Sequence, residues 1–347
     1  MKVNEIASQI RDRIPVSAIR VEDYVSTDNM RPNFGGIEKS LILPPSGTVT
    51  AFQTDDILLS NIRPYFRKTW LATHSGGCNA DVLCIRANPN KCIPKYLYYL
   101  FTTDNFVIDY LKSCKGAKMP RGDVQRLLDY EFDLPDQPTQ LRIAGILGSI
   151  DEKIELNRKK IAELEALAGV VYNQLVATNQ CEYSTISAVA TVKTGKQDSN
   201  FSTADGEYRF FTCSKDILWC DKYEFEGKAI LLTGNGDLHV RYFDGKFNAY
   251  QRTYVLQPND ARFFSAIYFA VRAMLIRLAR SASGSIVKFI TKGDVEHIKV
   301  PAFKEQHQKL LNDCLSNVLN IEQEIDALIR IRDKLLPLLM NGQVAVK

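Results

Sequence analysis

The sequence predicts an α+β protein in which two globular units alternate with two long helices, through an internal tandem duplication. Two observations support this fold class: a heptad seam that occurs twice, and repeated segments that precede each seam. The 347 residues are enough for two domains, and 45% apolar with 24% charged residues is an ordinary globular composition.

The two long helices are predicted from seam residues that follow one another at alternating steps of three and four. The first seam consists of Leu147, Ile150, Ile154, Asn157, Ile161, Leu164, Ala168, Val171 and Leu175. The second, displaced by 164 positions throughout, consists of Leu311, Cys314, Val318, Ile321, Ile325, Leu328, Arg332, Leu335 and Leu339. Dense charge between the seam positions favours helix-against-helix packing, although each helix could instead be core of its own unit. The polar seam residues Asn157 and Arg332 predict that the two helices pack in one fixed register. Pro337 predicts that the second helix ends or kinks near Leu336.

The globular units are predicted from matching segments before each helix. The segment DDILLSNIRP at 55–64 matches GKAILLTGNGD at 227–237, and each indicates a buried strand that enters a turn. A helical stretch rich in aromatic residues and a Gly-Asp-Val tripeptide follow in both halves. The predicted domains are therefore 1–137 and 180–303, and the predicted long helices are 138–179 and 304–343.

Several classes of function lack their motifs. The eight cysteines form no C-x-x-C pair and the four histidines are scattered, so we expect no metal site and a reducing cytoplasm. No run approaches a membrane span, so we expect no membrane partner. There is no nucleotide-binding phosphate loop and no Asp/Asn-Pro-Pro-aromatic methyltransferase tetrapeptide, so we expect no cofactor and no catalytic residue on this chain.

The order of these segments resembles the specificity subunit of type I restriction-modification enzymes. The resemblance lies in DLPDQPTQLRIAGILGSIDEKIELNRKKIAELEALA after one half, AILLTGNGD and GKFNAYQRTYVL within the other, and LIRIRDKLLPLLMNGQV at the end. It implies two DNA target-recognition domains separated by an antiparallel coiled-coil helix pair, in a pseudo-twofold arrangement. It also implies a non-catalytic subunit that binds a bipartite site in double-stranded DNA. Two methyltransferase subunits, which carry S-adenosylmethionine, and restriction/motor subunits are the implied protein partners.

Contacts to DNA are predicted for basic, amide and aromatic residues in the repeated loops, because cations bind phosphates and forked or amide groups read base edges. The net charge of only +4 means that such residues must cluster locally. In the first half the candidates are Asn61, Arg63, Tyr65, Arg67, Lys68, Lys118 and Arg121. In the second half they are Asn235, His239, Arg241, Tyr242, Lys246, Gln251, Arg252, Lys288 and Lys292.

Two alternatives compete with a DNA-reading subunit. A stand-alone nuclease would use Asp55, Asp56 and Asp81 with Lys68. A coiled-coil nucleic-acid-binding scaffold would stack RNA bases on exposed aromatic residues, including Trp70, Tyr242 and Tyr250.

Overall fold

The structure is a computed structural model that describes residues 1–178, 181–203, 206–214, 216–281 and 289–344. The chain divides into two compact units. The first unit comprises Met1–Ile154 with Ala327–Lys347, and the second unit comprises Glu155–Asp326. Each unit therefore contains part of both long helices.

The first unit contains two four-stranded sheets. Its strands are β1 (Ala7–Ile10), β2 (Arg13–Pro15), β3 (Tyr24–Val25), β4 (Thr48–Phe52), β5 (Ile57–Ser60), β6 (Thr69–Leu71), β7 (Gly76–Cys78) and β8 (Val82–Ala87). The sheet orders are β1-β8-β5-β6 and β2-β4-β7-β3. All four residues of β5 are buried, which confirms the buried strand predicted there.

The first unit also contains the helices α1 (Pro94–Thr102), α2 (Asp104–Lys112), α3 (Val124–Leu128) and the start of α4 (Gln137–Ala177). The single aromatic helix expected here is broken at Thr103. This residue is extended, and its side chain accepts a hydrogen bond from the Phe106 amide, so it caps a new helix. Asp136 caps α4 in the same way, accepting from the Thr139 amide at 2.9 Å.

The second unit repeats and extends this plan. Its elements are β9 (Glu182–Thr185), α5 (Ile186–Val189), β10 (Ala190–Thr194), β11 (Tyr208–Phe211), β12 (Leu218–Cys220), β13 (Phe225–Thr233), β14 (Val240–Ala249), β15 (Thr253–Pro258), α6 (Phe264–Ser281), α7 (Lys292–Glu296), β16 (Lys299–Ala302) and α8 (Glu305–Met340). The order β10-β15-β13-β14 reproduces β1-β8-β5-β6, and β11 and β12 extend the sheet beyond β14. The described strands thus carry the duplication predicted from sequence.

The long helices α4 and α8 run antiparallel. In the first unit, Arg332 of α8 contacts Asp151 of α4. In the second unit, a later residue of α4, Asn157, contacts an earlier residue of α8, Glu324. Every predicted seam position is buried or half-buried, so the seam prediction is confirmed.

Of the two outcomes predicted at Pro337, an end or a kink near Leu336, the end is wrong, because α8 continues through Pro337 to Met340. Pro337 is exposed, and its carbonyl accepts a hydrogen bond from the Asn341 amide at 3.0 Å. The last turn therefore keeps a backbone hydrogen bond, and the proline removes only one donor close to the helix end.

Candidate nucleic-acid interface

In the first unit, the loop that follows β5 lies against a hairpin formed by residues 115–121. Lys115 and Arg121 exchange backbone hydrogen bonds of 3.0 and 2.9 Å across the base of this hairpin. The Gly122 amide donates to the Asn61 carbonyl at 3.1 Å, and the Arg63 amide donates to the Pro120 carbonyl at 2.8 Å. The predicted contact residues at 61–68 and those at 118–121 are therefore neighbours in the first unit, although they are far apart in the sequence.

The second unit makes the same connection with different residues. The Ile290 amide donates to the Gly234 carbonyl at 2.9 Å, so the turn after β13 lies against the segment before α7. Gly234 also donates to the Arg252 carbonyl at 2.8 Å. A Cβ atom at Gly234 would lie 2.8 Å from that same oxygen, so only glycine allows the close approach. Asn235, Arg252 and Phe289 are thereby brought to one edge of the sheet.

Two predicted contact residues of the first unit point into the protein. The Asn61 side-chain oxygen accepts from the Tyr110 hydroxyl at 2.6 Å. The Lys68 ammonium donates to the Thr27 carbonyl at 2.6 Å, and burial lowers its pKa. Both side chains therefore support the loop from within the protein.

The other predicted residues of the first unit surround the hairpin. Lys118 is exposed at the hairpin tip, and Tyr65 is half exposed. Arg121 pairs with Asp81 at 2.7 Å and Arg67 pairs with Asp104 at 2.7 Å, so neighbouring carboxylates offset part of their charge. The Nε atom of Arg63 is shielded from solvent and has no hydrogen-bond partner.

In the second unit, two neighbouring residues of the predicted set lie at the start of β14: Arg241 is half-buried and Tyr242 is buried. Tyr242 is buried, and its hydroxyl donates to Glu165 at 3.0 Å, so Tyr242 has no surface available for DNA. Burial lowers the pKa of Arg241, which lies near Glu322 and Asp216. A ring nitrogen of His239 lies 2.9 Å from the Asp237 carbonyl. Tyr242 faces the core because the side chains of a strand alternate between its two faces.

The remaining described residues of the second unit lie outside the core: Lys246 is exposed on β14, and the others lie in loops or at the start of α7. Gln251 and Arg252 are exposed in the turn between β14 and β15. Asn235 accepts from the Cys213 thiol at 2.9 Å, and the Lys246 ammonium lies 4.7 Å from the centre of the Tyr223 ring. Lys292 is exposed and pairs with Glu296 at 3.4 Å. Lys288 lies outside the described residues.

Three apolar residues at these loops were missed by the sequence analysis. Phe66 and Met119 are exposed in the first unit, and Phe289 is 67% exposed in the second. Phosphate and base-edge chemistry points to charged and amide residues, so it does not single out apolar side chains at loop tips. Their position in the sequence could have identified them, because each lies in a loop between predicted elements and next to basic residues.

The carboxylates considered for a nuclease do not converge. Asp56 is buried and accepts from Arg86 at 2.6 and 2.7 Å, whereas Asp81 pairs with Arg121. Within the part of the chain that the structure describes, no group of three or more His, Cys, Asp or Glu side chains is placed to hold a metal. Within the same ranges, no helix is long and apolar enough to cross a membrane. No finding therefore supports the nuclease alternative.

Comparison with known proteins identifies the family. The model of the type I restriction modification DNA specificity domain matches residues 45–166 and 179–330, which is more than half of the chain. The chain belongs to this family, and the two matches correspond to the two halves of the duplication.

Two curated relatives are named as specificity subunits of type I restriction enzymes. The type I restriction enzyme EcoDI specificity subunit of Escherichia coli is 34% identical over 161 residues, or 44% of this chain. That match spans only 36% of the EcoDI subunit's own length. The MjaIX specificity subunit of Methanocaldococcus jannaschii is 23% identical over 74% of this chain and 70% of its own. A crystal structure of the type I system S subunit from M. genitalium shares the fold, with a TM-score of 0.60, 16% identity, and coverage of 100% of this chain and 96% of that one.

Proposed function

We propose that this chain is a DNA sequence-specificity subunit that reads a bipartite site in double-stranded DNA. The observation that carries the proposal is the repeated assembly of two loops beside equivalent strands, β5 and β13, in a chain of the specificity-domain family. One assembly in each unit suits a site with two half-sequences. The loop residues differ between the units, which suits two different half-sites.

The proposed contact surface of the first unit consists of the aromatic turn at residues 64–67 and the hairpin that carries Lys118 and Arg121. The proposed surface of the second unit consists of Asn235, Gln251, Arg252, Phe289 and Lys292. Exposed cations supply phosphate contacts, and the amides and Arg252 supply donors and acceptors for base edges. Lys246, which is exposed on β14 of the same unit, adds positive charge, whereas the half-buried His239 and Arg241 are not assigned to this surface.

Two methyltransferase subunits are the proposed partners of the long helices. Ile146 and Leu310 are exposed at equivalent positions of the repeat, as are Leu167 and Ile331. In each unit, one member of these two repeat-related pairs lies on α4 and one lies on α8. Exposed apolar residues that recur with the duplication favour two equivalent docking sites for one kind of partner. Restriction/motor subunits would join the assembly through those partners.

We further propose that the chain is non-catalytic and that the partner methyltransferase, not this chain, holds S-adenosylmethionine. Recognition and chemistry are then divided between subunits, and this chain supplies only positioning. All eight cysteines are free, which supports function in a reducing compartment such as the cytoplasm.

A genome-wide map of methylated adenines, with and without the gene, tests the proposal. We expect the deletion to abolish methylation at one split motif with a fixed gap. Complementation with Lys118→Ala or Arg252→Ala should weaken methylation, whereas Lys309→Ala, which removes an exposed lysine from α8, should restore it fully. An unchanged map in a strain that expresses the partner subunits would contradict the proposed function.

A further inference from the structure

Tyr65 and Phe66 form an exposed aromatic pair on the first unit. Their ring centroids are 4.7 Å apart, and the residues are 50% and 41% exposed. They occupy the short 3-10 turn Pro64–Phe66, which connects β5 to β6. Two large adjacent rings at the surface are costly in water, so a role outside the core is expected for them.

The backbone around this pair is strained. Five non-glycine residues in the described ranges have positive φ, and four of them lie here. Arg63 and Arg67 flank the turn with φ values of 47° and 52°, and Asn33 and Phe34 have φ values of 53° and 57°. Non-glycine residues in this region carry a conformational cost that persists only where surrounding contacts hold them.

The strained segments hold each other in place. The Asn33 amide donates to the Phe66 carbonyl at 2.9 Å, and the Phe34 amide donates to the Arg67 carbonyl at 2.9 Å. The Arg67 guanidinium pairs with Asp104 at 2.7 Å. These contacts fix the backbone that carries the exposed rings. A rigid aromatic pair loses little conformational entropy when it binds a partner.

Cationic side chains lie near the aromatic pair, although Asp104 and Asp81 pair with two of them, Arg67 and Arg121. The hairpin with exposed Lys118 is joined to the turn through the Arg63 amide and the Pro120 carbonyl, 2.8 Å apart. The Lys68 ammonium lies 5.8 Å from the centre of the Phe66 ring. Cations beside exposed rings are complementary to a ligand with aromatic faces and phosphates, which is the chemistry of nucleic acid.

We propose that Tyr65 and Phe66 are an aromatic wedge that enters the base stack of duplex DNA at the half-site of the first unit. The rings would separate two stacked base pairs while Lys118 and its neighbours contact the flanking phosphates. This inference rests on the proposed function. It adds that the first unit recognises how readily two stacked base pairs separate, in addition to reading base edges. Steps that unstack easily would be favoured at this position.

Base-analogue fluorescence tests the wedge. The wild-type chain, assembled with its methyltransferase, is bound to duplexes of the methylated motif that carry 2-aminopurine at successive positions. We expect a fluorescence increase at one step of one half-site, because unstacking relieves quenching of this base analogue. Phe66→Ala should abolish the increase and weaken affinity about 5- to 100-fold, the range of one lost aromatic stacking contact. Tyr65→Phe, which keeps the ring, should behave as wild type.

Ile108→Ala is the matched control, because it removes a large side chain of α2 that is also half exposed in the first unit. Specific binding without any fluorescence increase, together with full affinity of Phe66→Ala, would overturn the wedge and leave the proposed function intact. Failure of the wild-type assembly to bind the motif duplex, or tighter binding of single-stranded RNA than of that duplex, would overturn both. The wild-type fluorescence needs no variant, so a misfolded Phe66→Ala chain does not prevent the test.

Discussion

Arg332 of α8 donates a hydrogen bond to one carboxylate oxygen of Asp151 in α4 at 3.0 Å, and Tyr99 donates to the other at 2.7 Å. In the internal repeat, these two helix positions correspond to Leu315 and Ala168, both fully buried in the second unit. The same crossing of the two helices is therefore polar in the first unit and apolar in the second. A polar pair at one crossing gives the helices a defined register.

Breaking this pair should destabilise the protein. Arg332→Ala leaves a half-buried carboxylate without its cation, and we expect a loss of about 2 kcal/mol in the free energy of unfolding, below the value for fully buried pairs because Asp151 keeps partial solvation. The triple variant Asp151→Leu, Arg332→Ala, Tyr99→Phe should recover stability to within about 1 kcal/mol of wild type. Urea denaturation of the full chain measures both. Equal stability of the single variant and wild type would contradict a role for this pair.

Stability should depend on pH through Glu322 in the second unit. Burial raises its pKa above the ordinary value of 4.5, and this outweighs the opposing attraction of Arg209 and Arg241, while Glu165 and Asp326 raise it further. Since the folded state disfavours the charged form, Glu322 costs no stability below about pH 4 and an increasing amount as the pH rises through the raised pKa. Glu322→Gln should therefore raise the melting temperature at pH 7 and have no effect near pH 4.

The control for this experiment is Asp313→Asn, which removes an exposed carboxylate from the same helix. Its melting temperature should follow that of wild type at both pH values. A Glu322→Gln chain that is less stable than wild type at pH 7 would show that attraction to the arginines exceeds the cost of burial.

The two methyltransferase subunits should dock independently of each other, each at its own site. Ile146→Asp should remove one bound methyltransferase subunit, Leu310→Asp should remove one, and the double variant should bind none, because each change places a charge in one proposed apolar contact. Native mass spectrometry gives the stoichiometry directly. Ile108→Asp, with an exposed side chain outside both long helices, is the control. Two bound subunits on the double variant would place docking elsewhere.

The length of the helix pair should set the gap in the recognised site. Insertion of seven residues after Ile154 and seven before Ala327, where the boundary between the units crosses both helices, keeps the seam in phase and adds about 10 Å to each helix. We expect the gap to lengthen by about three base pairs with unchanged half-sites. Methylation mapping measures both quantities, and an altered half-site would contradict a spacer role.

The sequence by itself determined the repeated units, both long helices and their shared seam. These features follow from spacing along the chain, since burial repeats with the period of each element. Only the tertiary structure decided which polar residues reach the surface. Tyr242 and Lys68 resemble ligand contacts in the sequence, but a strand face turns one inward and a carbonyl of a distant segment holds the other. The exposure of Phe66 also depends on hydrogen bonds from residues more than thirty positions away in the chain. Such contacts cannot be predicted from the local sequence pattern.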